Sequence, residues 1–127
     1  MLGTAMMHIG ELAERTELSL RTLRHYDEIG LLEPSGRSEG GFRLYTEEDY
    51  ERLMLIRRMK PLGYSLEQMG DLLRALDAGQ AEGSVGTEAT QLLSEFLTDA
   101  EQRRAKLEKQ LAAADEFIGL LGDRIGT

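Results

Sequence analysis

Apolar positions recur at helical spacing in five stretches of this chain, and turn residues separate them. Ile9, Leu12 and Ala13 share one face of a short helix over residues 8–16. "TELS" interrupts it, and Ser19 is placed to cap a second helix over residues 20–29 by accepting from the free amides of its first turn. Leu20 and Leu23, with Tyr26 or Asp27, fall on successive turns of that helix, and Gly30 ends it. "LLEPSGRSEGGFRLYT" then reads as two short strands around a glycine-rich tip at residues 35–41, the first opening at Leu31 and Leu32, the second at Phe42, Arg43, Leu44 and Tyr45. Thr46 caps a third helix, with Asp49 where a capping box normally has Glu or Gln. Tyr50, Leu53, Met54 and Ile56 supply its buried side before it stops at "KPLG". Ser65 and Gln68 form a second box at the head of a fourth helix striped by Leu66, Met69, Leu72, Leu73 and Leu76.

The small, glycine-rich run "DAGQAEGSVG" reads as a linker. Beyond it the pattern is helical from Thr87 to about Leu121. Its apolar stripe is Leu93, Leu97, Ala100, Arg104, Leu107, Leu111, Ala114, Ile118 and Leu121. The steps alternate between four and three, the a/d rhythm of a coiled coil, and Arg104 is the one interruption. A rod of about 35 residues, roughly 50 Å long, has too little domain beside it to cover that stripe. The pattern therefore predicts a second copy of the chain as partner. The expected organisation is a winged helix-turn-helix over residues 1–77, a linker over 78–86, a dimerising coiled-coil helix over 87–122 and a tail over 123–127, a mainly α fold.

Charge sharpens the question of what the first part does. The chain carries 15 Lys and Arg against 23 Asp and Glu, a net charge of −8. Between residues 15 and 64 the balance is nine cations against nine acids. A nucleic-acid surface here must come from spatial sorting of charge, since there is no excess to draw on. Cysteine is absent, which removes disulfides, thiolate metal sites and thiol switches. No apolar run has the length of a membrane span. No nucleophile–base–acid set, phosphate loop or ligand cluster stands out, so neither an enzyme, a cofactor nor a metal is expected. His25 has only His8 as a histidine companion and no carboxylates at ligand spacing. Met54, Met59 and Met69 read as core filler, and the acids of residues 47–51 as a solvated helix start.

The segments "IGELAERT", "SLRTLRHYDEIGLLEPSGR", "GGFRLYTEEDYERL" and "LGYSLEQMGDLL", in this order, resemble the MerR family of bacterial transcription regulators. The resemblance implies a homodimer clasped by an antiparallel coiled coil, with each second helix in a major groove. Two wings would hold flanking phosphates. It also implies a dimer that bends and untwists promoter spacer DNA so that RNA polymerase reaches both of its elements, a control exerted through DNA shape.

Carried over residue by residue, Arg24 and Tyr26 match the recognition-helix arginine and tyrosine. His25 stands at a usually aromatic position, and Arg21 at a variable one from which guanine O6 and N7 are within reach. Ser19 and Thr22 complete the contact set on that helix. Arg37, Arg43 and Tyr45 match the first wing; Lys60 and Tyr64, with Arg57 or Arg58, match the second. Arg and Lys neutralise phosphates, and tyrosine hydroxyls donate to them. Two departures stand out. Glu17 occupies a turn position where glycine is usual. The cysteine-bearing loop or ligand domain of many members is missing after the coiled coil, so metal and thiol sensing are not expected.

The expected protein is a homodimeric regulator on double-stranded promoter DNA, cytoplasmic and nucleoid-associated, working with RNA polymerase, with an unidentified small-molecule effector left open. Two rivals stand beside it: a DNA-bending architectural or excision-type protein, and a coiled-coil interaction module that does not bind DNA.

Overall fold

A computed structural model describes residues 6–81 and 87–126. They form two units, divided after Arg74. The first opens with a strand that the hydrophobic pattern did not reveal, β1 (Met7–His8). Helices α1 (Ile9–Thr16) and α2 (Leu20–Glu28) follow, then β2 (Gly36–Arg37), β3 (Arg43–Tyr45) and α3 (Glu47–Met59). A 3-10 turn (Lys60–Leu62) leads into α4 (Leu66–Ala81). The strands make one antiparallel sheet in the order β1-β3-β2, with Met7 opposite Tyr45 and Arg37 opposite Arg43. Leu12, Leu23, Tyr26, Leu32, Tyr45, Leu53, Ile56, Met59, Met69 and Leu73 are buried. Apolar residues at helical spacing on α1, α2 and α3 thus share a core with the inward face of the short sheet.

The caps form as the sequence predicts. Ser19 Oγ accepts from the Thr22 amide at 3.0 Å. Thr46 and Asp49 close a full capping box. The Gln68 amide donates to Ser65 Oγ and the Ser65 amide to Gln68 Oε1, at 3.1 and 2.9 Å. Asp49 does more than cap. It is buried, and its Oδ2 also accepts from Ser35 Oγ at 2.6 Å, which ties the entrance of the wing to α3. Glu47 is paired too: the Arg15 guanidinium grips its carboxylate and holds it below the usual carboxylate range, while stacking on the Tyr50 ring. The first turn of α3 is therefore not the wholly solvated acidic start that the sequence suggested.

Three boundaries differ from the sequence reading. Leu31 and Leu32 do not open a strand. Both their amides donate to the Tyr26 carbonyl, at 2.9 and 3.2 Å, while the Gly30 amide reaches Asp27 O. Their donors are spent closing α2, with Gly30 left-handed at φ +76°. The first wing strand begins instead at Gly36. Helix α4 runs to Ala81, so residues 78–81 of the expected linker are helical; residues 82–86 lie outside the described ones. The last helix, α5 (Thr87–Ile125), passes through Gly119 and Gly122 to Ile125, because a mid-helix glycine costs only about 1 kcal/mol.

The second unit is the end of α4 and the whole of α5, which at 39 residues spans roughly 58 Å. Gly79 of α4 packs beside the Ala89 methyl near the start of α5. Along the rest of α5, Leu93 and Ala100 are half-buried and the other heptad positions face solvent. Leu97, Leu107, Leu111, Ile118 and Leu121 are all exposed, Leu111 and Ile118 at 64% each.

The turn between α1 and α2 keeps a left-handed residue where glycine would be expected. Glu17 sits at φ 61°, ψ 23°. Thr16, fully buried, donates to Leu12 O at 2.8 Å and accepts from the Leu18 amide at 3.3 Å, so the turn is fixed from both sides. A left-handed non-glycine residue costs roughly 1–2 kcal/mol. The Glu17→Gly protein should therefore unfold with about 1 kcal/mol more stability than Glu17→Ala, both having lost the carboxylate; equal thermal midpoints would contradict this.

Candidate nucleic-acid interface

Helix α2 has two chemically different sides. Leu23 and Tyr26 turn into the core. Arg21, Arg24, His25 and Glu28 stand at i, i+3, i+4 and i+7 on the exposed side. Among the described residues, the side chains of Arg21, Arg24 and His25 make no hydrogen bond or ion pair, and the same holds for Arg58 and Lys60. An unpaired guanidinium is available to an outside anion at no cost in broken internal contacts.

Three of these side chains, Arg21, His25 and Lys60, line one groove. Arg21, Thr22 and His25 from α2 share a groove of about 640 Å³ with Lys60 from the 3-10 turn and Leu66 from the start of α4, and Tyr26 and Glu28 complete its lining. The backbone explains why Lys60 arrives there. α3 ends in a 3-10 turn with proline at its second position, and Gly63, at φ +86°, turns the chain into the Ser65 cap. Ser19 and Thr22, both expected on this surface, are joined by a hydroxyl–hydroxyl bond of 2.8 Å at the start of α2.

The other cations are already committed. Arg57 Nη2 bonds Glu17 Oε2 at 2.7 Å, so of the two arginines left open by the sequence, Arg58 is the unpaired one. Arg43 Nε bonds Asp27 Oδ2 at 2.7 Å, and this hydrogen bond raises the arginine's already high pKa. Arg37 lies 3.6 Å from the same carboxylate oxygen and donates to Gly41 O at 3.1 Å. Both wing arginines therefore face Asp27, a residue the sequence reading assigned no function. An acid in the last turn of a helix opposes the helix dipole, and that misfit was the available signal.

The three tyrosines expected to donate to phosphate are core residues in this structure. Tyr26, Tyr45 and Tyr64 are buried, and the hydroxyl oxygens are sealed from solvent. Burial, with Asp27 nearby as the next cause, raises the pKa of Tyr45. The sequence reading matched all three to DNA contacts, whereas the structure counts them in the core. At the wing tip the opposite holds: Phe42, expected in a strand, stands out at 68% exposure.

Among the described residues no group of three or more His, Cys, Asp or Glu is placed to hold a metal ion. No helix among them is long and apolar enough to cross a membrane.

Comparison with known proteins gives this geometry its context. The family described as "MerR HTH family regulatory protein" matches residues 7–76, and "MerR, DNA binding" matches residues 50–116. The HTH-type transcriptional regulator ZntR of Escherichia coli is 40% identical over 104 residues, covering 81% of this chain and 72% of that protein. CueR of Salmonella typhi, also an HTH-type transcriptional regulator, is 29% identical over 114 residues, covering 89% and 83%. Among solved structures, HiNmlR, a MerR family regulator lacking the sensor domain and bound to promoter DNA, superposes with a TM-score of 0.74 at 25% identity, covering 97% of both chains. The N-terminus of MtaN, the Bacillus subtilis multidrug transporter activator, gives 0.57 at 27%, covering 95% and 99%. With its helix-turn-helix, its wing and its unpaired basic groove, the chain belongs to the MerR family and is a MerR-type DNA-binding transcriptional regulator.

Proposed function

We propose that the chain acts as a homodimer on promoter DNA, with residues 1–77 as the DNA-binding domain and the helix from residue 87 onward as the dimerisation rod. The observation that carries this reading is the grouping of unpaired cations around α2 and the 3-10 turn. Arg21 and Arg24 enter the major groove, with Arg21 able to take guanine O6 and N7 together. Lys60 and Arg58 meet phosphate on one side of α2, and Arg37 on the wing meets it on the other. His25, Ser19 and Thr22 complete the contact along α2. Arg43, Arg57 and the three tyrosines hold the domain in shape behind this surface.

The exposed stripe of α5 supports the dimer. Leu97, Leu107, Leu111, Ile118 and Leu121 leave an apolar seam in water along most of a 39-residue helix, and a second copy of the same seam covers it without new chemistry. Arg104, bonded to Glu108 at 3.0 Å on its own helix, fits within the seam as a satisfied charge. In the dimer, two α2 helices address one side of the duplex, bend and untwist the promoter spacer, and so present its elements to RNA polymerase. The HiNmlR complex, a MerR family regulator bound to promoter DNA, supports promoter DNA as the partner of this surface. The protein acts where its promoter is, in the cytoplasm.

Binding measured on a duplex selected from a randomised pool tests the contact set. Arg21→Ala should relax discrimination at one base pair per half-site by about 1–3 kcal/mol, whereas Lys60→Ala should weaken all sequences by the same factor. Unchanged affinity and preference in both would overturn the assignment. Sedimentation tests the rod. Leu111→Asp should turn a dimer into a monomer at micromolar concentration, because a charge in the seam is desolvated without a partner; a wild-type monomer would refute the dimer.

A further inference from the structure

The carboxylate of Asp27 is placed where simple charge counting would not put it. It stands on the DNA-facing domain, in the last turn of α2, only 14% of its side chain exposed. Two wing arginines converge on its Oδ2, Arg43 at 2.7 Å and Arg37 at 3.6 Å. Those arginines are directly opposite one another across the β2–β3 ladder. Like charges in that position repel and splay a two-stranded hairpin, and such a hairpin is marginal by itself. The shared carboxylate removes the repulsion and fastens the wing to the helix at the same time.

We propose that Asp27 is a positioning residue for DNA binding: it locks the wing to the recognition helix, so that α2 and Arg37 reach the duplex as one rigid unit. The inference rests on the proposed DNA-contact set and adds a division of labour within it. Arg43, with 26% of its side chain exposed, is the anchored member. Arg37, at 51% exposure, keeps unused N–H groups for phosphate. Without the clasp, each binding event must also order the wing, and that ordering weakens the affinity.

The test exploits opposite signs. Asp27→Asn deletes a negative charge beside a polyanion, so electrostatics alone predicts tighter binding. The clasp predicts weaker binding, by roughly tenfold for one or two side chains set loose. Affinity of the full chain for the selected duplex is measured for wild type, Asp27→Asn, Arg37→Ala/Arg43→Ala and the triple variant. In the background without the two arginines, Asp27→Asn should no longer weaken binding, and should strengthen it as the charge effect emerges alone. Asp27→Glu, which keeps the carboxylate, should recover most of the loss. Hydrogen exchange supplies a second reading: wing amides 36–43 should exchange faster in Asp27→Asn while those of α3 stay protected. Arg43→Gln breaks the same bond from the wing side with α2 untouched, and should loosen the same amides should Asp27→Asn fail to fold. Tighter or equal binding by Asp27→Asn, or unchanged wing exchange in the folded variants, overturns the clasp and leaves the DNA-contact set standing. A wild-type protein that binds no duplex overturns both.

Discussion

A polyanion repels a chain of net charge −8, and the structure answers that constraint by sorting its cations into two populations. Arg15, Arg43 and Arg57 are tied to Glu47, Asp27 and Glu17, where they join elements distant in sequence. Arg21, Arg24, Arg58 and Lys60 are exposed and unpaired among the described residues. Each internal pair puts an acid and a base to use in holding the domain, and so removes an acid that would otherwise neutralise the interface. Exposed pairs of this kind contribute only about 0–1 kcal/mol each, so their value lies in geometry more than in stability. They keep the helix-turn-helix, the wing and α3 in register, while the unpaired cations stay exposed on the outside.

The sequence made much of this domain legible because its local signals agree with one another. Caps at Ser19, Thr46 and Ser65, the left-handed Gly30 and the apolar spacing of α1 to α4 all act within a few residues, and all recur in the structure. What the local pattern could not show depends on partners far along the chain. β1 exists because Met7 pairs with Tyr45, and no pattern within two residues announces a strand. Leu31 and Leu32 look like a strand start until the closure of α2 takes their amides. Tyr26, Tyr45 and Tyr64 match contact positions in the sequence, and only the packing buries their hydroxyls. Arg43 and Arg57 have the right chemistry for phosphate, but acids 16 and 40 residues away claim them.

Glu17 shows how firmly the turn is held. A residue that disfavours positive φ adopts it, because Thr16 closes the preceding helix and Ser19 opens the next with no residue to spare. The glutamate then supplies a carboxylate to Arg57, which a glycine would not. The long helix was legible for a different reason. A 3.5-residue rhythm kept over many turns needs no distant partner to be recognised, and α5 outruns the expectation by reaching Ile125 because two glycines are too weak a brake.

The most direct measurement of the central claim is the salt dependence of operator binding by the unaltered protein. Four unpaired cations per protomer with Arg37, taken twice in a dimer, give a slope of log K against log salt of roughly −7 to −9. A slope in that range, from a chain whose total charge is negative, means that a sorted basic face carries the binding. A slope shallower than about −2 would contradict the account.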